Sequence, residues 1–315
     1  MSTILCALAV VAVSSGLLVS PSELAAVLKD PTVVVVAVGT NPADFELGHV
    51  PGARFVRYGD IAIDADGLTS ELPPVADLRR VLANAGIGDR SKVIIYGSTI
   101  AATRMFFTLD YFGHPYARVL NGGWNAWKES GGAIETGPPP PIKHRLDADL
   151  TPKVQAQRVV TADWIKERLA PPKLADSHAS GGGLSSPTLR QAQGRPERSR
   201  GAKMTLLDAR PDAEFTGADG GMNGMHVKGH LPGAQQLVWN TLLDSSGRFL
   251  PDAELEKKYD AIGAAQGTPL VSYCLVGMRA SVTYFVARHL GYDARLYDGS
   301  IVDWTRRKLP AVMGK

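Results

Sequence analysis

The segment SYCLVGMRAS, residues 272–281, places one cysteine where an apolar run ends and a glycine and an arginine follow. The run before it, GTPLVSYC, is typical of a buried strand, and the run after it, RASVTYFVARHLG, is typical of a helix. Residues 91–113, SKVIIYGSTIAATRMFFTLDYFG, predict the same strand, loop and helix, but Gly97 stands in place of Cys274. The question is why one copy of this unit holds a thiol and the other does not.

Three further pairs of segments match in the same order along the chain. LVSPSELAAVLKD corresponds to VVTADWIKERLA, LGHVPGARFV to KGHLPGAQQL, and FGHPYARVLNGGWNAW to LGYDARLYDGSIVDW. Three of the matching residue pairs are separated by the same 177 positions: Tyr96 and Tyr273, Gly122 and Gly299, and Trp127 and Trp304. Ordered matches with a constant offset indicate a duplicated domain.

Each copy alternates short β-branched runs with amphipathic helical stretches. This alternation predicts an α/β fold in which each domain is a parallel sheet with helices on both faces. Ser22 and Thr161 precede helical runs and are predicted to be N-caps. Because ligands of such sheets bind outside the carboxyl ends of the strands, Cys274 lies where a site is expected. The predicted strands are VVVVAV, KVIIYG and ARVLNGG in the first copy, and TLLDA, PLVSYC and ARLYDG in the second.

The chain is predicted to contain four parts. Residues 1–17 form an apolar N-terminal arm or a weak signal, and residues 18–134 form the domain without the cysteine. Residues 135–152 include four consecutive prolines and are predicted to be an extended linker. Residues 153–315 form the cysteine-bearing domain. It contains an insertion at about 177–203, which is nearly devoid of apolar residues and is predicted to be disordered.

The composition narrows the classes of function. A formal charge of +3 is too small to predict nucleic-acid binding. Two cysteines exclude a disulfide framework and fit a reducing compartment such as the cytoplasm. Export is the alternative if residues 1–16 are a signal, although their apolar run is too short to span a bilayer. The histidines and cysteines show no metal-ligand spacing and no nucleotide signature follows a strand, so neither metal nor cofactor is expected.

The loop after Cys274 contains features that stabilise a thiolate, the reactive form of cysteine. It precedes a helix, whose free N–H groups favour an anion. Gly277 allows a positive φ, so that successive N–H groups can point inward, and Arg279 adds a fixed positive charge. The alternative is a buried structural cysteine. The position at a strand end, the loop and the duplication together favour a nucleophile.

From about Leu18 to Leu309 the chain resembles the tandem-domain rhodanese family, the thiosulfate and 3-mercaptopyruvate sulfurtransferases. The resemblance rests on GHVPGA and GHLPGA, LLDAR, YC-x-x-G-x-R-A, VLNGGWNAW and LYDGS-x-x-DW. It implies two rhodanese-like domains, of which the second is catalytic. It also implies that Cys274 takes the outer sulfur of a small donor as a persulfide and passes it to a thiol or to cyanide. The substrate-binding loop would comprise Leu275, Val276, Gly277, Met278 and Arg279, with an acceptor protein as a further partner.

Four other residues are predicted to support the site. Asp208 and Arg210, in DAR, are expected to form a salt bridge that fixes the strand end, and His230 is expected to be a hydrogen-bonded turn residue rather than a base. Thiosulfate enzymes of the family often carry an arginine shortly after this element, but Glu214 occupies the position here. Because a carboxylate repels an anionic donor, the choice between thiosulfate and 3-mercaptopyruvate stays open.

Two other functions compete with sulfur transfer. Phosphatases and arsenate reductases of this fold also use a cysteine–arginine loop, but phosphatases need C-x5-R, whereas Cys274 and Arg279 are spaced as C-x4-R. The second competitor is a persulfide carrier or binding module without turnover, which would keep the same loop. A turnover assay separates a carrier from an enzyme.

Overall fold

The computed structural model describes residues 16–139, 141, 150–169, 204–219 and 227–314. The insertion predicted at 177–203, the N-terminal arm up to residue 15 and half of the predicted linker lie outside the described residues. The predicted domain boundaries therefore remain predictions.

The first copy contains a five-stranded parallel sheet. Its strand order is β1-β7-β6-β2-β3, and β4 and β5 form a separate antiparallel hairpin. A short 3-10 helix, Tyr58–Asp60, follows β3. The elements are β1 (Leu18–Val19), α1 (Pro21–Val27), β2 (Val33–Gly39), α2 (Pro42–Leu47), β3 (Arg54–Arg57), β4 (Ile63–Ala65), β5 (Leu68–Glu71), α3 (Val75–Asn84), β6 (Lys92–Gly97), α4 (Thr99–Phe112), β7 (Ala117–Leu120) and α5 (Gly123–Glu129).

The second copy repeats this arrangement with four parallel strands in the order β11-β10-β8-β9. Val159 bridges Leu296 in parallel and takes the place of β1. Further 3-10 helices span Ala156–Arg158 and Trp239–Leu242. The elements are α6 (Ala162–Leu169), β8 (Thr205–Asp208), α7 (Asp212–Thr216), β9 (Gln235–Gln236), α8 (Asp252–Ala261), β10 (Leu270–Tyr273), α9 (Ala280–His289), β11 (Ala294–Leu296) and α10 (Ser300–Arg306).

The first helix of each copy tests the predicted N-caps. Ser22 was the wrong choice, because α1 begins at Pro21 and Ser20 is its N-cap. Ser20 accepts a hydrogen bond from the Glu23 N–H and the Glu23 carboxylate accepts one from the Ser20 N–H, which together form a capping box. Thr161 accepts from the N–H of Trp164, as predicted for an N-cap.

The duplication is visible in matching side-chain contacts. His49 stacks on Phe45 and His230 stacks on Phe215, in both cases with ring centroids 3.8 Å apart. Other bonds recur in pairs: Tyr96 and Tyr273 accept through their hydroxyls from Val50 and Leu231, and Trp127 and Trp304 donate to the carbonyls of Ala133 and Pro310. The same contacts at equivalent positions show that the two copies have the same fold although most of their residues differ.

Helices α4 and α9 pack against each other and join the two copies. Thr103 Oγ1 and Ser281 Oγ lie 3.1 Å apart, and Phe106 meets Phe285 edge-on with centroids separated by 4.9 Å. One apolar core therefore contains residues from both copies. Because α4 follows β6 and α9 follows the cysteine loop, this packing brings the first copy close to Cys274. In the part of the chain described, no helix has the length and hydropathy that crossing a bilayer requires.

Candidate active site

Cys274 immediately follows β10 and has no exposed surface. In the first copy α4 begins at Thr99, two residues after Gly97, whereas α9 begins at Ala280, six residues after Cys274. The second copy thus opens the first turn of its helix into a loop. Gly277 lies in this loop with φ +80°, the left-handed conformation that its sequence predicts.

Ser300 fixes the two ends of this loop. Its hydroxyl oxygen accepts hydrogen bonds from the N–H groups of Cys274 and Gly277, each at 3.0 Å, and its O–H donates to the carbonyl of Tyr297. Within the described residues, the N–H groups of Leu275, Val276 and Met278 have no protein acceptor. These amides are available to an anion held in the loop, as the sequence predicts for an anion-binding nest.

Arg279 is held by Glu214. The guanidinium donates through Nη1 to Oε1 at 2.6 Å and through Nη2 to Oε2 at 2.8 Å. Burial lowers the pKa of Arg279, but hydrogen bonding to Glu214 and attraction to the Cys274 sulfur outweigh it, so the pKa rises above its ordinary value. The guanidinium therefore pairs with Glu214 and lies within electrostatic range of Cys274. The sequence singled out both residues but did not predict their pairing.

Asp208 and Arg210 form a fully buried ion pair at the end of β8. Arg210 Nη2 lies 2.6 Å from Asp208 Oδ2, and the same nitrogen donates to the carbonyl of Gly229 at 2.8 Å. Asp208 lies beside Tyr273 in the sheet register, directly next to the cysteine. The pair thus joins the strand end to the turn that precedes His230.

His230 is bonded within that turn. Its Nδ1 is hydrogen-bonded to the carbonyl of Phe215 at 3.0 Å and its ring is buried. Phe215 lies on α7 one residue after Glu214, so the stack positions the helix that carries this carboxylate.

Arg104 and Asp298 are not among the residues that the sequence predicts for the site. Arg104, on α4 of the first copy, donates to both carboxylate oxygens of Asp298 and to the carbonyl of Ser70, and it has no exposed surface. A Cβ on Gly277 would lie 2.5 Å from Asp298 Oδ1. The loop can therefore lie this close to the ion pair only because residue 277 is a glycine. The one signal available was a charged residue within an apolar helix.

The Tyr58 hydroxyl, also from the first copy, is buried and finds no hydrogen-bond acceptor among the described residues. Burial raises the pKa of Tyr58; the charge of Arg104 and the nearby Ser70 side chain oppose this, and the charges of Asp298 and Cys274 add to it. The phenol therefore stays protonated and lies within electrostatic range of the cysteine.

A cavity of about 490 Å³ lies at the strand ends of the first copy. Five aromatic side chains contribute to its lining, and so does Met278 of the cysteine loop. The aromatic residues are Phe45, Phe55, Tyr58, Tyr96 and Trp124. The first copy keeps a depression where its own nucleophile would stand, and this depression reaches the cysteine loop.

The family model of the rhodanese-like domain matches this chain twice, over residues 20–130 and 191–307. The chain belongs to the rhodanese family. It is 31% identical over 303 residues to the thiosulfate sulfurtransferase of Corynebacterium glutamicum, covering 91% of this chain and 87% of that protein. A probable 3-mercaptopyruvate sulfurtransferase of Pseudomonas aeruginosa is 28% identical, with 96% and 99% covered. The sulfur carrier protein TtuD of Thermus thermophilus is 26% identical, with 88% and 89% covered.

These matches confirm the family, the two rhodanese domains and the class of enzyme, a sulfurtransferase, that the sequence predicts. The relatives differ in the donor that their names give. Membership of the family therefore does not identify the donor, and the residues around Cys274 must determine it.

Proposed function

We propose that this rhodanese takes a sulfur atom from a small anionic donor, thiosulfate or 3-mercaptopyruvate, and transfers it to a thiol or to cyanide through a persulfide on Cys274. The observation that supports this most is the opened turn after β10. There the cysteine, three backbone N–H groups without an acceptor among the described residues, and Arg279 belong to one short loop.

In the first step the Cys274 thiolate attacks the outer sulfur of the donor. A sulfur–sulfur bond forms while the bond between that sulfur and the rest of the donor breaks, and its electron pair leaves with sulfite or, after protonation, with pyruvate. The persulfide anion left on Cys274 would accept hydrogen bonds from the N–H groups of Leu275, Val276 and Met278. Ser300 keeps the loop in place because its hydroxyl already accepts hydrogen bonds from the N–H groups of Cys274 and Gly277.

In the second step an acceptor thiolate or cyanide attacks the outer sulfur of the persulfide. The bond to Cys274 breaks and the thiolate is regenerated, so no external oxidant or reductant is consumed. Donor and acceptor react in turn with one cysteine, which predicts ping-pong kinetics.

The test measures thiocyanate formed from cyanide, with thiosulfate and separately with 3-mercaptopyruvate. We expect turnover in the native protein and in Cys6→Ser, and none above background in Cys274→Ser, because Cys274 would carry the sulfur in both steps. Cys6→Ser is the matched control, since it removes the only other thiol. Equal turnover in Cys274→Ser would contradict the proposal.

A carrier that delivers sulfur to a partner protein is the second candidate, because a relative of 26% identity is named a sulfur carrier and Cys274 is fully buried. No turnover with either donor, combined with a persulfide on Cys274 detected by mass spectrometry, would favour the carrier.

A further inference from the structure

We infer that Glu214 sets the donor class of this rhodanese: by neutralising Arg279 it disfavours dianionic donors such as thiosulfate and favours donors with one negative charge, such as a mercapto carboxylate. The inference rests on the proposed sulfur transfer at Cys274 and concerns the charge of the donor that reaches it. Arg279 carries the one positive charge of the predicted substrate-binding loop. The structure shows it bound to a carboxylate of the protein itself.

The geometry of this pair leaves little of the arginine's charge for a ligand. Both terminal nitrogens donate to separate oxygens of Glu214, and the side chains are only 16% and 8% exposed. Water screens a pair this buried only weakly, so the two charges act on a ligand almost as a dipole. An anionic donor must either displace Glu214 or bind beside it.

The other buried arginines near the loop are balanced in the same way. Arg210 is paired with Asp208, and Arg104 is paired with Asp298. In the part of the chain that the structure describes, three arginines beside the loop thus face three carboxylates. The attacking thiolate adds one negative charge, so the site offers a dianion no net positive charge.

The charge of the donor determines how strongly Glu214 opposes it. At a given position, the Coulomb energy between Glu214 and a donor is proportional to the donor's charge, so a dianion is opposed with twice the free energy of a monoanion. Removing the carboxylate charge should therefore raise kcat/KM for a dianion by the square of the factor found for a monoanion. A gain of about threefold for 3-mercaptopyruvate predicts about ninefold for thiosulfate.

Glu214→Gln removes this charge and keeps the shape and one hydrogen-bond acceptor for Arg279. We expect the ratio of kcat/KM for thiosulfate to kcat/KM for 3-mercaptopyruvate to rise about threefold or more, chiefly through a lower KM for thiosulfate, and to rise less at high salt. Glu214→Asp keeps the charge and is expected to leave the ratio near that of the native protein. Asp44→Asn is the matched control, because Asp44 is the acid at the same position of α2 in the first copy, and it should not change the ratio.

A binding measurement separates this inference from the proposed function. Titration of thiosulfate into Cys274→Ser, with and without Glu214→Gln, requires no turnover, and we expect tighter binding in the double variant. If Glu214→Gln lowers kcat/KM for both donors by the same factor and leaves binding unchanged, Glu214 only positions Arg279 and the inference is wrong. If the native protein turns over neither donor, the proposed function fails, and the binding comparison alone decides the inference.

Discussion

The two copies differ in the backbone that follows the equivalent strands β6 and β10. In the first copy, a Cβ on Gly97 would lie 2.4 Å from the carbonyl oxygen of Val38, so the backbone leaves no room for a Cβ there, although a cavity lies beside it. In the second copy, Gly277 and Ser300 hold the chain open after Cys274. Gly123, which takes the place of Ser300 in the first copy, has no hydroxyl to hold such a loop. The first copy therefore lacks an open loop and room for a Cβ at Gly97, as well as the thiol.

The two copies also differ in an equivalent pair of hydrogen bonds across the domain interface. Asp298 of the second copy accepts the N–H of Leu72 at 2.9 Å, and Asn121, 177 residues before Asp298, accepts the N–H of Phe249 at 2.8 Å. The bonds are equivalent, but only Asp298 is charged and only it faces an arginine, Arg104. On the side of the cysteine loop, the ion pair of Asp298 with Arg104 thus stands where the other side has only the neutral amide of Asn121.

Arg104→Leu is expected to have the largest effect on stability. It leaves the Asp298 carboxylate buried without its partner, which costs about 3–5 kcal/mol of unfolding free energy. Adding Asp298→Asn makes this side resemble the Asn121 side and is expected to recover most of the loss. Urea unfolding of the two variants measures both effects.

The matched control is Arg80→Leu, because Arg80 pairs with Asp77 on an exposed helix face. We expect a change below about 1 kcal/mol there. Equal losses in Arg80→Leu and Arg104→Leu would show that the interface pair contributes no more than a surface pair. If the double variant is as unstable as Arg104→Leu, an asparagine at position 298 does not stabilise the interface as Asn121 does on the other side.

Gly97→Cys tests whether the first copy lacks only a thiol. Because the new Cβ meets the carbonyl oxygen of Val38, we expect a loss of about 1–3 kcal/mol of unfolding free energy. Combined with Cys274→Ser it should restore no thiocyanate formation. Gly59→Cys is the control, since no heavy atom lies within 4 Å of a Cβ at Gly59, and it should leave stability nearly unchanged. Thiocyanate formation by the double variant Gly97→Cys, Cys274→Ser would contradict the explanation that Gly97 leaves no room for a cysteine.

Much of this comparison could be predicted from the sequence, because the signals are local. β-branched runs gave the strands, the repeated offset gave the duplication, and a glycine after a strand-end cysteine gave the loop. Ser20 was missed in favour of Ser22 because both are serines before a helical run, and only the capping box with Glu23 distinguishes them.

The charged contacts at the site could not be predicted in the same way. Glu214 and Arg279 are 65 residues apart, and Arg104 and Asp298 are 194 apart. The second pair joins α4 to the segment after β11 of the other copy, and the amphipathic pattern of α4 does not specify what it packs against. Ser300 could have been found by comparing the copies, since it replaces Gly123 within an otherwise matching segment.

The hairpin of the first copy provides the last contrast. Glu71 reaches toward the second copy, and its counterpart 177 residues later, Arg248, pairs with Glu129 at 2.6 Å on the surface. One carboxylate oxygen of Glu71 is instead buried without a hydrogen-bond partner in the described residues. Burial raises the pKa of Glu71 to about 7; the nearby charges of Asp298, Asp303 and Asp66 add to this rise and the charge of Arg104 opposes it.

Glu71→Gln is therefore expected to have the smallest effect and to show it only at higher pH. Between pH 4.5, the ordinary pKa, and about 7, the folded protein keeps a proton on Glu71 that the unfolded chain has lost, so stability falls as pH rises through this window and is level above it. Glutamine stays neutral, so the variant should match the native protein at pH 4 and exceed it at pH 8 by on the order of 1 kcal/mol, allowing for partial solvent screening. Urea midpoints at both pH values measure this, with the exposed Glu256→Gln as control. An equal gain at pH 4 would mean that the amide stabilises by packing or hydrogen bonding. The raised pKa of Glu71 would then not be the cause of the difference in stability.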